Sequence, residues 1–130
     1  MLVIILEIQK RGDRMVCRFE AAEGAAWCYW SGDPPEVGRR YPVEEEAEHI
    51  TLITRLKDDT EQSEELIDIT KMDGQPSWIV SGRVEQVDDV YMDVVFGGLR
   101  IGLGEDEDWA SDGARVVVRC EGCTLYDCAF

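Results

Sequence analysis

From Met15 onward the chain alternates between apolar and polar side chains. Met15, Cys17, Phe19 and Ala21 share one face, with Arg18 and Glu20 on the other. A period of two marks a half-buried β-strand, whose successive side chains point to opposite faces. The same period runs through Leu2, Ile4, Leu6 and Ile8, and Arg11-Gly12-Asp13-Arg14 supplies turn residues between the two runs. The opening therefore predicts a hairpin.

A third strand is predicted over residues 25–31, where Trp27, Cys28, Tyr29 and Trp30 give an aromatic-rich run. A loop with Gly32, Pro34, Pro35 and Gly38 follows. Tyr41 and Val43 then resume the alternation, and Pro42 between them points to an edge strand, because proline has no N–H for a ladder. Residues 49–56 supply a fifth strand. The stretch 56–75 changes character: it is polar and acidic through Glu65, then carries Leu66, Ile67 and Ile69. Thr60 suits the cap of a short helix, and a linker is the competing reading.

The second half repeats the order of the first. Strands are predicted over 78–87, then through Val90, Met92, Val94 and Phe96, then Leu99, Ile101 and Leu103, then 115–120, with a short last one over 124–126. Sliding the chain by 75 positions lays 1–55 on 76–130 without a gap. Met15, Cys17, Phe19 and Ala21 then meet Val90, Met92, Val94 and Phe96, while Tyr41 and Val43 meet Val116 and Val118. Identities are few, among them Ile4, Asp13, Asp33, Gly38, Arg40 and Val43 with their partners, so shared inward phase carries the inference of duplication.

These patterns predict a mostly β protein of two similar small OB-like or SH3-like units, 1–55 and 76–130, joined by the acidic segment 56–75. One continuous β-sandwich or barrel is the alternative. The resemblance is to an architecture and rests on no family motif.

Charge adds a constraint that the pattern lacks. Against 13 Lys and Arg stand 28 Asp and Glu, a formal charge of −15 over 130 residues. Such a field repels phosphate backbones and anionic lipid and attracts basic proteins. The apolar start, Met1 to Leu6, is far short of a membrane span and lacks the basic lead of a signal peptide, so a cytoplasmic protein with reduced thiols is expected.

Several patterns invite chemistry. Cys120-x2-Cys123-x4-Cys128 needs further ligands for zinc, with Cys17, Cys28 or His49 as candidates, but only one close cysteine pair exists. His49, the sole histidine, invites a Cys–His pair, yet it follows Glu44-Glu45-Glu46 and precedes an Ile/Leu run, which suits a surface position. Asp106-Glu107-Asp108 fails as a calcium loop, because Ala110 and Ser111 fall where a ligand and a glycine are required. Trp27, Tyr29 and Trp30 invite base stacking, but basic residues do not interleave with them. No cofactor, metal or nucleic acid is implied.

Acidic clusters remain. Glu105, Asp106, Glu107 and Asp108 adjoin Trp109, and Glu44, Glu45 and Glu46 form a second group. A charged rim around an aromatic anchor is the pattern of a steered protein interface. The sequence thus points to a non-enzymatic binding protein for a basic partner. In charge character alone it is similar to small acidic inhibitors, including bacterial immunity proteins. The alternatives are a small enzyme or metal-dependent protein using the cysteines or carboxylates, and a structural accessory domain.

Overall fold

Eleven β-strands and no helix make up the described residues of the computed structural model, 2–57, 64–72, 74–88, 91–96, 99–103 and 109–128. The protein is all-β and of the barrel-forming, OB-like class. Strands β1 (Leu2–Arg11), β2 (Arg14–Ala21), β3 (Gly24–Ser31), β11 (Thr124–Asp127) and β4 (Arg40–Glu46) close into a barrel in that order. A second sheet runs β5 (His49–Arg55), β10 (Arg115–Glu121), β7 (Ser77–Gln86), β8 (Met92–Phe96), β9 (Leu99–Leu103). A further strand, β6 (Glu65–Asp68), pairs with the first part of β7. It lies in the segment read as a short helix or linker. Thr60, read as the cap of that short helix, lies outside the described residues.

The repeat has a structural counterpart. Both halves contain a three-strand meander followed by a strand that returns to the first, β1-β2-β3-β4 in one and β7-β8-β9-β10 in the other. Gly38 and Gly113 enter the returning strands with φ of 85° and 83°, a left-handed conformation that favours glycine. Phe19 faces Ala26 across the ladder as Val94 faces Ile101, both pairs 75 residues apart. The first strands depart from that offset. Arg40 faces Ile4, but Arg115 faces Arg83, four residues beyond the uniform slide. An even displacement preserves the inward phase, which is why the alternation aligns.

The expected units 1–55 and 76–130 exchange their fifth strands. β11 leaves the second half and fills the barrel between β3 and β4, with Val43 opposite Asp127. β5 leaves the first half and pairs with β10, with Val118 opposite Leu52. Those two pairings are the same pairing with the halves interchanged. The crossing is tight: the Glu48 N–H donates to the Glu121 carbonyl at 2.9 Å, and the Cys123 N–H donates to the Pro76 carbonyl at 3.1 Å.

One apolar core spans both units. Val3, Ile5, Phe19, Cys28 and Leu125 line it on the barrel side, and Trp78, Val80, Val94, Phe96 and Val118 on the other, all fully buried. Phe19 and Trp78 meet edge to face across the junction, with centroids 5.5 Å apart. Two expectations are corrected. β1 buries Val3 and Ile5, while Leu2 and Leu6 are exposed. Its first residues are apolar on both faces, and the register shift between Ile5 and Glu7 lets Ile8 pack against the core. β4 is an interior strand rather than an edge, because the barrel closes around it. Pro42 lies just past the last laddered pair, Val43 with Asp127, and its carbonyl accepts from the Cys128 N–H at 2.8 Å, so only the missing proline donor falls at the end of the ladder.

Candidate functional site

Because β5 is delivered to the second sheet, its start stands beside β9 and the end of β10. There the surface forms an open depression of about 460 Å³, lined by Glu48, His49, Ile50 and Thr51, by Gly102 of β9 and by Glu121 of β10. A second depression of about 320 Å³ lies on the barrel, among Arg14, Met15, Trp30, Ser31, Thr124 and Tyr126. Thr124 and Tyr126 are the 75-residue counterparts of His49 and Thr51, so both hollows border the exchanged strands.

The first hollow leans acidic. Glu121 stands opposite His49 in the ladder, is 3.0 Å from the Arg119 guanidinium and accepts from the Gln75 amide at 3.4 Å. Glu48 folds its carboxyl over Gly122, where a Cβ would approach it to 2.7 Å. In the second hollow, Tyr126 donates to the Glu46 carboxylate at 2.6 Å, a bond that raises the phenol pKa.

Of the predicted site residues, Glu105, Asp106, Glu107 and Asp108 lie outside the described residues. Trp109 is half-buried and packs against the core. Glu44, Glu45 and Glu46 stand on β4, laddered to β11, and alternation separates them. Glu44 and Glu46 are exposed, whereas Glu45 turns toward β9 and accepts from the Arg100 main-chain N–H. Burial pushes the Glu45 carboxyl up to about 7, and that hydrogen bond only partly opposes the shift. Its Oε2 is buried with no partner among the described residues.

The cysteines belong to the core. Cys17, Cys28, Cys120 and Cys123 are fully buried, and Cys128 is half-buried. Burial pushes the Cys17 thiol up to about 11 and that of Cys120 up to about 12, and raises Cys28 and Cys123 as well. Protonated thiols are poor nucleophiles and poor metal ligands. His49 pairs with Glu121 in the ladder and Cys120 with Ile50, so His49 and Cys120 face opposite sides of the sheet. Among the described residues no three His, Cys, Asp or Glu side chains gather as a metal site.

Reading along a single strand missed an aromatic–arginine strip. Trp30 is buried, stacks edge-to-face on Tyr41 and donates to the Asp33 carbonyl. Trp27 and Tyr29 alternate with it toward the outer face. Arg14 lies 3.5 Å over the Tyr29 ring and Arg18 faces Trp27 across the ladder. The cations come from β2, so only the hairpin register exposes the pairing. No known family model, curated protein or solved structure matches this chain.

Proposed function

We propose that this chain is a non-enzymatic binding protein for a basic protein partner, of the inhibitor or immunity kind in charge character, acting in the cytoplasm. The observation that carries the reading is the acidic rim where β4 passes into β5. Glu44, Glu46 and Glu48 are all exposed there, and among the described residues none is ion-paired to Lys or Arg. With a formal charge of −15 behind them, these carboxylates steer a cationic partner toward the hollow beside His49. Among the described residues no helix is long and apolar enough to cross a membrane.

The test is capture from an extract of the source organism, with the captured protein identified and the pair re-measured from purified components. The expected partner is basic. Glu44→Gln, Glu46→Gln and Glu48→Gln together should slow its association and flatten the salt dependence. A captured partner that is acidic, or whose binding ignores both salt and the triple variant, overturns the reading.

The strip of Arg14, Arg18, Tyr29 and Trp27 favours a second reading, a stacking surface for a planar ligand or single-stranded nucleic acid. The overall charge opposes a phosphate backbone. Titration with an oligonucleotide at low salt separates the two, since only the second reading expects saturable binding lost on Tyr29→Ala.

A further inference from the structure

The two units differ at one seam. In the barrel, β3 and β11 are zipped in parallel, with Thr124, Leu125 and Tyr126 opposite Tyr29, Trp30 and Ser31. In the second sheet, β5 and β9 stand at opposite ends of the strand order; β9 packs beside β4, where Glu45 accepts from the Arg100 main-chain N–H, while among the described residues β5 has no ladder partner beyond β10. The hollow of about 460 Å³ lies between them, bordered by consecutive residues at the start of β5. Gly102 stands 75 positions from Trp27, so glycine occupies the place of an indole and leaves room.

An unpaired strand edge presents N–H and C=O groups that an extended peptide can satisfy. β5 offers such an edge in regular conformation over His49–Leu52, and its ladder to β10 becomes irregular only beyond, opposite the step from Val117 to Val118. Its outer surface combines an apolar side chain, Ile53 at 51 % exposure, with the carboxylates of Glu48 and Glu121 bordering the hollow. The complement is a strand that alternates apolar and cationic side chains.

Resting on the binding role proposed above, we propose that the seam between β5 and β9 is a strand-acceptor groove. It takes up an extended segment of the basic partner alongside β5, with lysine or arginine side chains over Glu48 and Glu121 and β-branched ones against Ile53. Main-chain hydrogen bonds supply affinity there, and the carboxylates select charge. The crossing of the two fifth strands holds the groove rigid, because Glu48 is bonded to Glu121 and Cys123 to Pro76 through the main chain.

The probe is a short fluorescent peptide of alternating lysine and valine. Its controls are the same peptide with glutamate for lysine and one with alternate main-chain nitrogens methylated. Anisotropy should show binding of the first alone, and amide exchange should slow at residues 49–52. Gly102→Leu fills the hollow without disturbing the fold, since a Cβ at that position meets only the Asp93 carboxylate at 3.8 Å. It should weaken binding about tenfold or more at an unchanged thermal midpoint. If the peptide binds Gly102→Leu as well as the parent chain, or binds equally when methylated, the groove is refuted and the acidic-binder reading stands. If neither the lysine–valine peptide nor an intact basic protein such as cytochrome c binds at low salt, both are refuted.

Discussion

The Trp78 indole N–H donates to the main-chain carbonyl of Trp27 at 2.7 Å, tying the second sheet to the barrel. The bond is partly buried and the ring fully so at the junction, where Trp78 also meets Phe19. Trp78→Phe keeps an aromatic ring but removes the donor. It should cost about 1–3 kcal/mol, measured as a shift in urea midpoint with little change in slope. An unchanged midpoint would show that the junction is held by apolar contact alone.

Gly24 opens β3 directly beneath β6. Its φ is 152°, and a Cβ there would collide with the Leu66 carbonyl; the Leu66 N–H donates to the Glu23 main-chain carbonyl at 3.2 Å. Gly24→Ala should displace β6 and lower stability by about 1–3 kcal/mol, with faster amide exchange at residues 65–68. Gly12→Ala, at an open turn with φ of 58°, carries backbone strain without the collision and should leave β6 protected.

Glu45 makes stability depend on pH. The folded state holds its proton up to about 7, against an ordinary value of 4.5. The stability linked to that proton is complete below about 4.5, declines as pH rises and is gone above about 7. The upper limit is about 3 kcal/mol. Glu45→Gln, which keeps an acceptor for Arg100, should flatten the change between pH 5 and pH 8 in urea titrations and stabilise the protein at the upper end. A parent chain equally stable at both ends would exclude the linkage.

Thiol chemistry should be confined to Cys128. The four buried cysteines are protonated at neutral pH and shielded from reagent, whereas Cys128 is half-buried at the end of β11. In native buffer one thiol per chain should react quickly with a disulfide reagent, and Cys128→Ser should abolish that phase. All five should react in urea. Rapid labelling of Cys120 or Cys123 in the folded protein would contradict the packing.

Trp109 tests the fate of the expected anchor. Half-buried and packed against the core, it should behave as a stability residue. Trp109→Ala is expected to lower stability by about 1–3 kcal/mol, below a fully buried tryptophan because it is half-buried. Rapid dissociation of a partner at unchanged stability would restore it to the interface.

Much of the fold is legible in the sequence where one face is clearly apolar. Cys17, Phe19 and Ala21 alternate cleanly and are buried as read, and Tyr41 and Val43 match Val116 and Val118 in phase. β1 misleads because Leu2 through Leu6 are all apolar, so no polar residue marks the outer face before the bulge. The exchange of fifth strands leaves no local trace: β5 and β11 fit equivalent slots in the same register, and nothing within either strand says which slot it takes. The hollow beside His49 is invisible for the same reason. Its walls come from β5, β9 and β10, which meet only after the exchange.

That exchange also bears on how the chain is made. A ribosome delivers residues 2–46 first, yet the barrel they begin waits for residues 124–127 to close it. Pairings as distant as Val3 with Tyr41 can form early, whereas Val43 with Asp127 must come last. In the meantime β3 and β4 carry open edges, the kind of surface through which nascent chains stick to one another. The strand already at hand for the vacant slot is β5, whose register there would match that of β11, so the growing barrel contains its own competitor. The native topology needs residues 124–127 rather than β5 in that slot, and chaperone dependence is expected to be greater during synthesis than during refolding of the complete chain.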